Sequence, residues 1–521
     1  MEKIFFKKNT KNAKGSITLE LLIAFAILIL NITAVMLIVN GGQSISVDTE
    51  TNNEALAKAK GILEQAKADS KLDFNSVNSI SYPPDDIYQS RLLVSQIDLF
   101  TKQITGLITW KTTGGRDQTT KLTTLITNPE AINGGDTCSS VLEGDWKNPQ
   151  ISNPFYVGNP IGGNPITSIN VFEGKIYITT DNSDGQYNDF YIYDISADPK
   201  NPAIVNGPDG IDVNGKKNAG LSSVAISGNN TNKYAYVANA YGADFSKCNE
   251  SPNCSQMRII DVTNPASLIL GRSYKLPSDV TGSGGQAVGN SIFYQNEYIY
   301  LGLTKTGSGP EFNIIDVHDP ANPLRVGSYS VGRGINTIKV KNNYAYLTTD
   351  NNDEELIVLD VSNPTIPTLV EIYNALPDQI GGYGSDLYLI GNRIYLGRTY
   401  IRNAPEFLIL DNTNPNAIPQ SPLGSVDIGS STNPQSLYGI VARDYLAFLT
   451  TGNKSAGSGY FQVWNISNLG SMSLLKSFDL SSVTGSGSVG STSDCEGNYI
   501  YVGSYRKDNN KGMIFAVSPG N

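Results

Sequence analysis

The stretch NNYAYLTTDNNDEELIVLDVSNPTIPTLVEIY at residues 342–373 contains the two phrases on which the fold of this chain depends. The first is a tyrosine-rich strand, and the second is an apolar strand that ends in Asp before an Asn-Pro turn. The tyrosine-rich phrase occurs seven times, at residues 174–180, 232–238, 296–302, 342–348, 391–397, 443–450 and 497–503. The second phrase occurs six times, with Asp194, Asp261, Asp316, Asp360, Asp411 and Asn465 at its key position, and a truncated seventh copy closes the chain. An internal repeat therefore governs the chain from about residue 140.

The spacing of the repeat indicates the blades of a β-propeller. Successive key positions are 67, 55, 44, 51 and 54 residues apart. A period of this length that holds four short strands is typical of propeller blades. An Asp or Asn just before such a turn bonds its own backbone, and Pro fixes φ for the return strand. We therefore interpret the repeated Asp residues as turn architecture and the repeated Tyr residues as blade core, in preference to ligand-binding roles.

The Asp-ending phrase resembles the LVIVD repeat of bacterial surface propellers over some 350 residues. The last copy lacks a fourth strand, and the segment EGDWKNPQISNPFYVG at residues 143–158 has the turn and strand that would complete it. The sequence therefore predicts a seven-bladed propeller over residues 138–521 whose ring is closed by the segment that precedes blade one.

The N-terminus combines a basic leader with a long apolar run. Lys3, Lys7, Lys8, Lys11 and Lys14 precede Leu21–Val39, in which the polar residues are Asn31 and Thr33. Nineteen residues at about 1.5 Å each would just span a hydrocarbon core of about 30 Å. The lysines would keep the N-terminus inside, so the prediction is a single-pass protein of the cytoplasmic membrane with its propeller outside. An ordinary signal anchor remains an alternative, and membrane lipid is an expected partner.

The junction Lys14-Gly15-Ser16-Ile17-Thr18-Leu19-Glu20 resembles the prepilin signal of type IV pilins and pseudopilins. The resemblance implies cleavage after Gly15 by a prepilin peptidase, Ser16 as the first, methylated mature residue, and Glu20 as the acidic fifth residue. In that family the acidic residue pairs with the amino terminus of another pilin-like subunit, so Glu20 would act in assembly, and the propeller would reach the cell surface in a pilus. A Glu that merely lies at the membrane edge is the alternative.

The helix is expected to run over residues 16–72 and to present Leu56, Ala59, Leu63 and Ala66 on one face. Two alternating runs on either side of Gly114-Gly115-Arg116 favour a hairpin in a small pilin-like β region at 73–135. The predicted fold class is thus mainly β, with a long N-terminal transmembrane or pilin-spine helix, a small β segment and a seven-bladed β-propeller.

The composition argues against nucleic-acid binding and against catalysis. The formal net charge is −10 in 521 residues, which leaves no basic footprint. His318 stands in a turn position where other repeats carry Ser or Thr, and we found no nucleophile–base set or phosphate loop in the sequence. The acidic loops at 181–185 and 350–355 have oxygen ligands suited to Ca²⁺, although ordinary hairpin loops are the preferred reading. No enzyme activity and no cofactor are expected.

Four cysteines lie beyond the apolar run, where an even number favours disulfides. Cys248 and Cys254 are six residues apart in one insertion, so a local pair is expected. That leaves Cys138 to pair with Cys495, which requires the ring to close as described.

The preferred function is therefore a minor pilin-like subunit that displays a propeller for adhesion or for recognition of a surface, glycan or protein ligand. The alternatives are a membrane-anchored propeller scaffold outside any filament, and an envelope enzyme.

Overall fold

The computed structural model describes most of the chain in segments. They are residues 16–72, 77–96, 101–112, 115–127, 137–138, 142–158, 164–181, 188–207, 210–213, 220–228, 232–239, 255–277, 288–306, 309–375, 382–443 and 445–520. The chain divides into two compact units, the first of Met1–Ile97 with Thr101–Ile126 and the second of Asp98–Phe100 with Thr127–Asn521.

In its described residues, the first unit contains one helix, α1 (Ser16–Leu72), and one antiparallel four-stranded sheet. The sheet consists, in spatial order, of β1 (Ile80–Ser81), β2 (Gln89–Gln96), β3 (Thr101–Lys111) and β4 (Asp117–Thr127). The C-terminal half of α1 buries Ala55, Ala59, Leu63 and Ala66 against this sheet. Leu56, which was expected on that face, is 45% exposed and Ala55 takes its place. The buried stripe thus begins one residue earlier than the apolar pattern predicts.

The predicted fold class is wrong in its membrane-spanning helix. Across the residues described here, no helix combines the length and apolar character needed to cross a bilayer. A spanning helix needs about 20 consecutive, predominantly apolar residues, since a rise of about 1.5 Å per residue must cross a hydrocarbon core of about 30 Å. The described chain is mostly β, and the predicted single-pass membrane localisation is wrong for the same reason.

The second unit contains seven described sheets, which we name blades one to seven in chain order. Blade one consists of β8 (Ile166–Phe172), β9 (Lys175–Thr180), β10 (Phe190–Asp194) and β11 (Ala203–Ile204). Blade two consists of β12 (Leu221–Gly228), β13 (Lys233–Asn239), β14 (Met257–Asp261) and β15 (Ile269–Tyr274). Blade three consists of β16 (Gly289–Gln295), β17 (Tyr298–Leu303), β18 (Phe312–Asp316) and β19 (Leu324–Tyr329).

Blades four to six follow the same order. Blade four consists of β20 (Ile335–Lys341), β21 (Tyr344–Thr349), β22 (Leu356–Asp360) and β23 (Thr368–Tyr373). Blade five consists of β24 (Gly384–Ile390), β25 (Arg393–Arg398), β26 (Phe407–Asp411) and β27 (Gly424–Val426). Blade six consists of β28 (Ser436–Arg443), β29 (Leu446–Gly452), β30 (Tyr460–Asn465) and β31 (Ser473–Asp479), with a 3₁₀ turn at Leu469–Ser471 and a short helix α2 (Leu480–Thr484) after β31.

Blade seven joins both ends of the unit. It consists of β5 (Thr137–Cys138), β32 (Ser488–Gly497), β33 (Tyr499–Arg506), β34 (Gly512–Gly520), β6 (Asp145–Ile151) and β7 (Phe155–Tyr156). β6 and β7 pair antiparallel with β34, and β5 pairs parallel with β32. The segment that precedes blade one therefore supplies the outer strands of blade seven.

The innermost strands β8, β12, β16, β20, β24, β28 and β32 contact one another in a closed ring, since β32 also contacts β8. The second and third strands of the blades lie between two neighbouring sheets and are buried on both faces, whereas the fourth strands are largely exposed. The repeated tyrosines Tyr177, Tyr236, Tyr346, Tyr395 and Tyr501 are fully buried in these layers. Their interpretation as blade core is confirmed.

The repeated Asp residues close turns, as their pattern predicts. Asp360 Oδ1 accepts a hydrogen bond of 2.8 Å from the backbone N–H of Ser362. Equivalent bonds of 2.8 to 2.9 Å are made by Asp194, Asp261, Asp316, Asp411 and Asn465. Hydrogen bonds to Ser362 hold the pKa of Asp360 below its usual range. Each of these side chains therefore holds its turn through the backbone.

A second repeated feature escapes the sequence patterns. The residue immediately before the third strand of blades one to five is a buried acid or amide, namely Asp189, Gln256, Glu311, Glu355 and Glu406. In each blade its side chain accepts a hydrogen bond from a backbone N–H that lies two or more residues after the end of the fourth strand. The donors are, in blade order, Val213, Leu276, Val331, Ala375 and Ile428, at 2.8 to 3.0 Å. These side chains tie the third strand to the connection that leads to the next blade.

Three buried carboxyls make the propeller more stable in mild acid. Burial raises the pKa of Asp189 to about 8, of Glu406 to about 7 and of Asp386 to about 6. Between their unfolded pKa values of about 4 and these folded values, the folded state binds more protons than the unfolded state, so stability falls as pH rises. We expect the free energy of unfolding, measured by urea denaturation, to be higher at pH 5 than at pH 8. Carboxyls whose pKa is lowered, such as that of Asp360, change their protonation below pH 4 and therefore do not contribute in this pH window.

Glu406→Gln provides the control for this prediction, because it keeps an acceptor for Ile428 N–H and removes the titration. The variant should lose part of the pH dependence, on the order of 3 kcal/mol across the window. An equal slope in both proteins would contradict the assignment of Glu406.

Candidate functional site

The innermost strands enclose a cavity of about 1060 Å³ whose lining comes from all seven blades. Its wall is rich in serine, threonine and asparagine side chains, among them Thr167, Ser222, Asn290, Asn336, Ser385 and Ser491. We call this cavity the central channel. Its size and polar wall make it the candidate functional site of the propeller.

Each innermost strand carries a β-bulge near its start. The bulged residues are Thr167, Ser222, Asn290, Asn336, Ser385, Tyr438 and Ser491 in blades one to seven. A bulge leaves one residue outside the ladder and re-aims its side chain. Here the bulges place one polar side chain per blade at the same level of the channel.

These side chains link neighbouring blades. Thr167 Oγ1 donates to the carbonyl of Leu221 at 2.6 Å, so blade one is bonded to blade two. The same link is made by Ser222 to Gly289 at 2.6 Å, by Asn290 to Ile335 and Asn336 to Gly384 at 2.7 Å, and by Ser385 to Leu437. Five consecutive links therefore run around the channel from blade one to blade six.

The pattern changes at the wall between blades six and seven. The bulged residue of blade six is Tyr438, with a phenol ring in place of a short donor, and that of blade seven is Ser491, whose buried Oγ has no hydrogen-bond partner. Two residues beyond the bulge, six strands carry an apolar residue, namely Ile169, Val224, Ile292, Ile338, Leu387 and Ile440. Blade seven carries Ser493 there, again with a buried, unbonded Oγ.

Gly439 makes room for this departure. A Cβ at Gly439 would lie 2.7 Å from both the backbone N and the Oγ of Ser493, closer than side chains tolerate. Local departures from a pattern that the rest of a fold obeys concentrate at functional sites. The wall formed by Tyr438, Gly439, Ser491 and Ser493 is the part of the channel that differs most from the blade repeat.

One end of the channel is lined with tyrosines. Tyr383, Tyr438 and Tyr505 lie at the end where the innermost strands begin, together with Asp181 and Lys454. Burial raises the pKa of Tyr438 and of Tyr505, and the neighbouring Tyr438 and Asp181 add to the effect on Tyr505. We call this end the tyrosine mouth.

Lys454 is the cation of the tyrosine mouth. Its Nζ lies 4.7 Å from the centroid of the Tyr438 ring, a cation–π arrangement. Its side chain is open to solvent within the mouth, yet the surrounding protein atoms desolvate the amine and lower its pKa.

The acids deeper in the channel are bound to the backbone. Asp386 Oδ2 accepts from Ile440 N–H at 2.9 Å, and Asp494 Oδ2 accepts from Val171 N–H at 2.7 Å. Each bond joins two blades. These carboxylates therefore support the wall.

The predicted site residues lie away from the channel or outside the described residues. Gly15, Cys248 and Cys254 are outside them, and for Ser16 and Glu20 the structure gives only a place in α1. Cys138 and Cys495 form a disulfide within blade seven, with Cα atoms 5.1 Å apart. The processing and assembly roles of Gly15, Ser16 and Glu20 stay predictions.

His318 and the acidic loop at 350–355 lie within the described residues, whereas residues 182–185 of the other acidic loop lie outside them. His318 Nδ1 lies 2.6 Å from Glu297 Oε2 on the exposed turn of blade three. In the loop at 350–355, Asp350 Oδ1 accepts from Gly334 N–H and Glu355 is buried against Arg398. Within the described segments, no group of three or more His, Cys, Asp or Glu side chains is placed to hold a metal ion.

Comparison with known proteins supports the repeat. The model of the LVIVD repeat family matches residues 255–275 and 332–375, which lie in blades two and four. No curated protein matches the chain. The match lies in the propeller and includes no part of α1. It supports the prediction of a repeat β-propeller with LVIVD repeats and gives no support to the prediction of a pilin-like N-terminus.

Two solved structures are similar to the chain at low identity. One is a catalytically inactive variant of virginiamycin B lyase from Staphylococcus aureus with quinupristin, at 13% identity and a TM-score of 0.38, covering 70% of this chain and 99% of that one. The other is a structural genomics protein of unknown function from Bacteroides thetaiotaomicron VPI-5482, at 9% identity and a TM-score of 0.37, covering 85% of this chain and 91% of that one.

Proposed function

We propose that the propeller is a recognition module that binds a hydroxyl-rich ligand, such as a surface glycan, at the tyrosine mouth and catalyses no reaction. The observation that carries the proposal is a polar channel of about 1060 Å³ with Tyr383, Tyr438 and Tyr505 at one end. Ligand pockets combine apolar or aromatic surface with a few placed polar groups. Tyrosine rings offer flat faces for sugar rings, and their hydroxyls and the channel's amides offer hydrogen bonds.

The proposal of binding without catalysis is supported by the state of the titratable groups in the channel. Covalent or acid–base catalysis needs a nucleophile or base aimed at a substrate, with an orienting partner behind it. Asp386 and Asp494 are instead engaged with backbone N–H groups of neighbouring blades. Lys454 lies against the Tyr438 ring.

Adhesion is the use that fits such a module best, because repeated weak contacts to a polymer gain strength through multivalency. The pilin-like part of the sequence interpretation is not carried into this proposal, since the family match lies in the propeller. We expect the ligand to be a glycan. Binding of a protein partner instead is the competing outcome.

The proposal predicts that Tyr383→Ala weakens glycan binding by about tenfold, because it removes the most exposed aromatic surface of the mouth. The control is Tyr445→Ala, since Tyr383 and Tyr445 are both 40% exposed and only Tyr383 lines the channel. The full chain and both variants are applied to an array of bacterial and host polysaccharides, and hits are measured by calorimetry. No binding of the wild-type protein to any glycan, or equal losses in both variants, would contradict the proposal.

A further inference from the structure

The charges of the tyrosine mouth are arranged asymmetrically. Lys454 comes from the turn after β29 in blade six, whereas Asp181 follows β9 in blade one and acts on Tyr505. The other lysines of the channel are engaged, because Lys341 Nζ donates to the Gly391 carbonyl at 2.8 Å and Lys339 faces Asp386. Lys454 forms no salt bridge with a carboxylate in the described part of the chain.

The position of Lys454 coincides with the departure from the blade pattern. Its amine lies over the ring of Tyr438, the bulged residue of blade six, where the other blades carry a short side chain that can donate a hydrogen bond. Ser491, next along that ring, has an Oγ without a partner. A serine Oγ is re-aimed by rotation about a single bond, so this donor can turn towards a ligand in the channel.

We propose that this wall is a subsite for the carboxylate of an acidic saccharide, with Lys454 as the residue that binds it. The inference rests on the proposed function and names the ligand class of the same site. A single ammonium balances one carboxylate charge, and the desolvated mouth strengthens that attraction. Asp181, on the blade-one side of Tyr505, repels an anionic group, so the carboxylate is directed towards Lys454.

The chemistry favours a carboxylate over a phosphate. Phosphate groups carry more charge and are typically held by arginine forks, several cations or helix N-termini. The tyrosine mouth offers one lysine and aromatic faces. A sugar with a ring carboxylate matches both, because its ring lies on a tyrosine while its acid group reaches the amine.

The test uses the full chain and two probes with the same sugar backbone, tetragalacturonic acid and its uncharged methyl ester. We expect calorimetry to show at least tenfold tighter binding of the acid by the wild-type protein. Lys454→Gln should bind both probes equally. The matched control is Lys476→Gln, because Lys476 Nζ lies over the Phe478 ring at 5.6 Å in the same cation–π manner but outside the channel. It should keep the preference for the acid.

Each other outcome overturns the subsite in a distinguishable way. Equal binding of both probes by the wild-type protein, or a preference retained in Lys454→Gln, removes the role of Lys454 and leaves glycan recognition standing. Binding of neutral glycans on the array, with no binding of either probe, also removes the role of Lys454 and leaves glycan recognition standing. Tighter binding of a phosphorylated hexose than of the acid overturns the carboxylate assignment. No binding of any saccharide overturns the proposed function as well.

Discussion

Replacing Arg398 by Met lowers the free energy of unfolding of the propeller by about 3 to 5 kcal/mol. Arg398 Nη2 lies 2.7 Å from Glu355 Oε1, and the two side chains are 1% and 0% exposed. The pair joins β25 of blade five to the residue before β22 of blade four. Removing the guanidinium leaves a buried carboxylate without its cation, which costs more than the pair itself contributes.

The double variant Arg398→Met with Glu355→Gln separates the two effects. Gln keeps an acceptor for Ala375 N–H and carries no charge, so part of the stability should return. The exposed pair of Arg506 and Asp508, 2.6 Å apart, provides the surface control, and Arg506→Met should have little effect. A loss in Arg398→Met no larger than in Arg506→Met, measured by urea denaturation, would show that the buried pair does not join the blades.

The second large effect concerns the disulfide of blade seven. Cys138→Ser should lower the free energy of unfolding by up to about 5 kcal/mol, because the bond closes a loop of 357 residues and restricts the unfolded chain. Cys138 lies in β5, which pairs with β32, so the bond fixes the strand that precedes the ring to its last blade.

Peptide mapping without reductant identifies the bond directly. It should recover Cys138 linked to Cys495 from protein purified without reducing agent. A link from Cys138 to Cys248 or Cys254, or a free Cys138 thiol, would count against the closure of blade seven by the segment 137–156.

Features set by short stretches of chain were predictable from the sequence. The turn at Asp360 needs only the next two residues, and the burial of Tyr346 follows from a strand pattern that repeats. The membrane-spanning helix was predicted wrongly from a count of apolar residues, since no helix among the described residues has the length and apolar character needed to cross a bilayer. On the helix face Ala59, Leu63 and Ala66 were predicted correctly, and Leu56 was chosen in place of Ala55 because small residues give a weak periodic signal.

The candidate site was not predictable because it depends on contacts across the whole ring. The backbone N–H of Val171 donates to Asp494, which is 323 residues away in the sequence. Tyr438 contacts Lys454 because Lys454 lies in the turn after β29, the strand that pairs with β28. One signal was available: aligning the repeats places an acid or amide before the apolar run of the third strand in blades one to five, and it exposes Tyr438 and Ser493 as departures from the innermost pattern. The repeat period alone does not show which departures from the blade pattern lie on the wall of the central channel.

Hydroxyl-radical footprinting tests recognition at the tyrosine mouth most directly. The full chain is labelled with and without a polysaccharide selected on the array, and the modification of individual tyrosines is read by mass spectrometry. We expect the ligand to protect Tyr383 and Tyr505, while Tyr445, which is as exposed as Tyr383, keeps its reactivity. Protection of Tyr445 with unchanged labelling of Tyr383 and Tyr505 would place the ligand elsewhere and contradict the account.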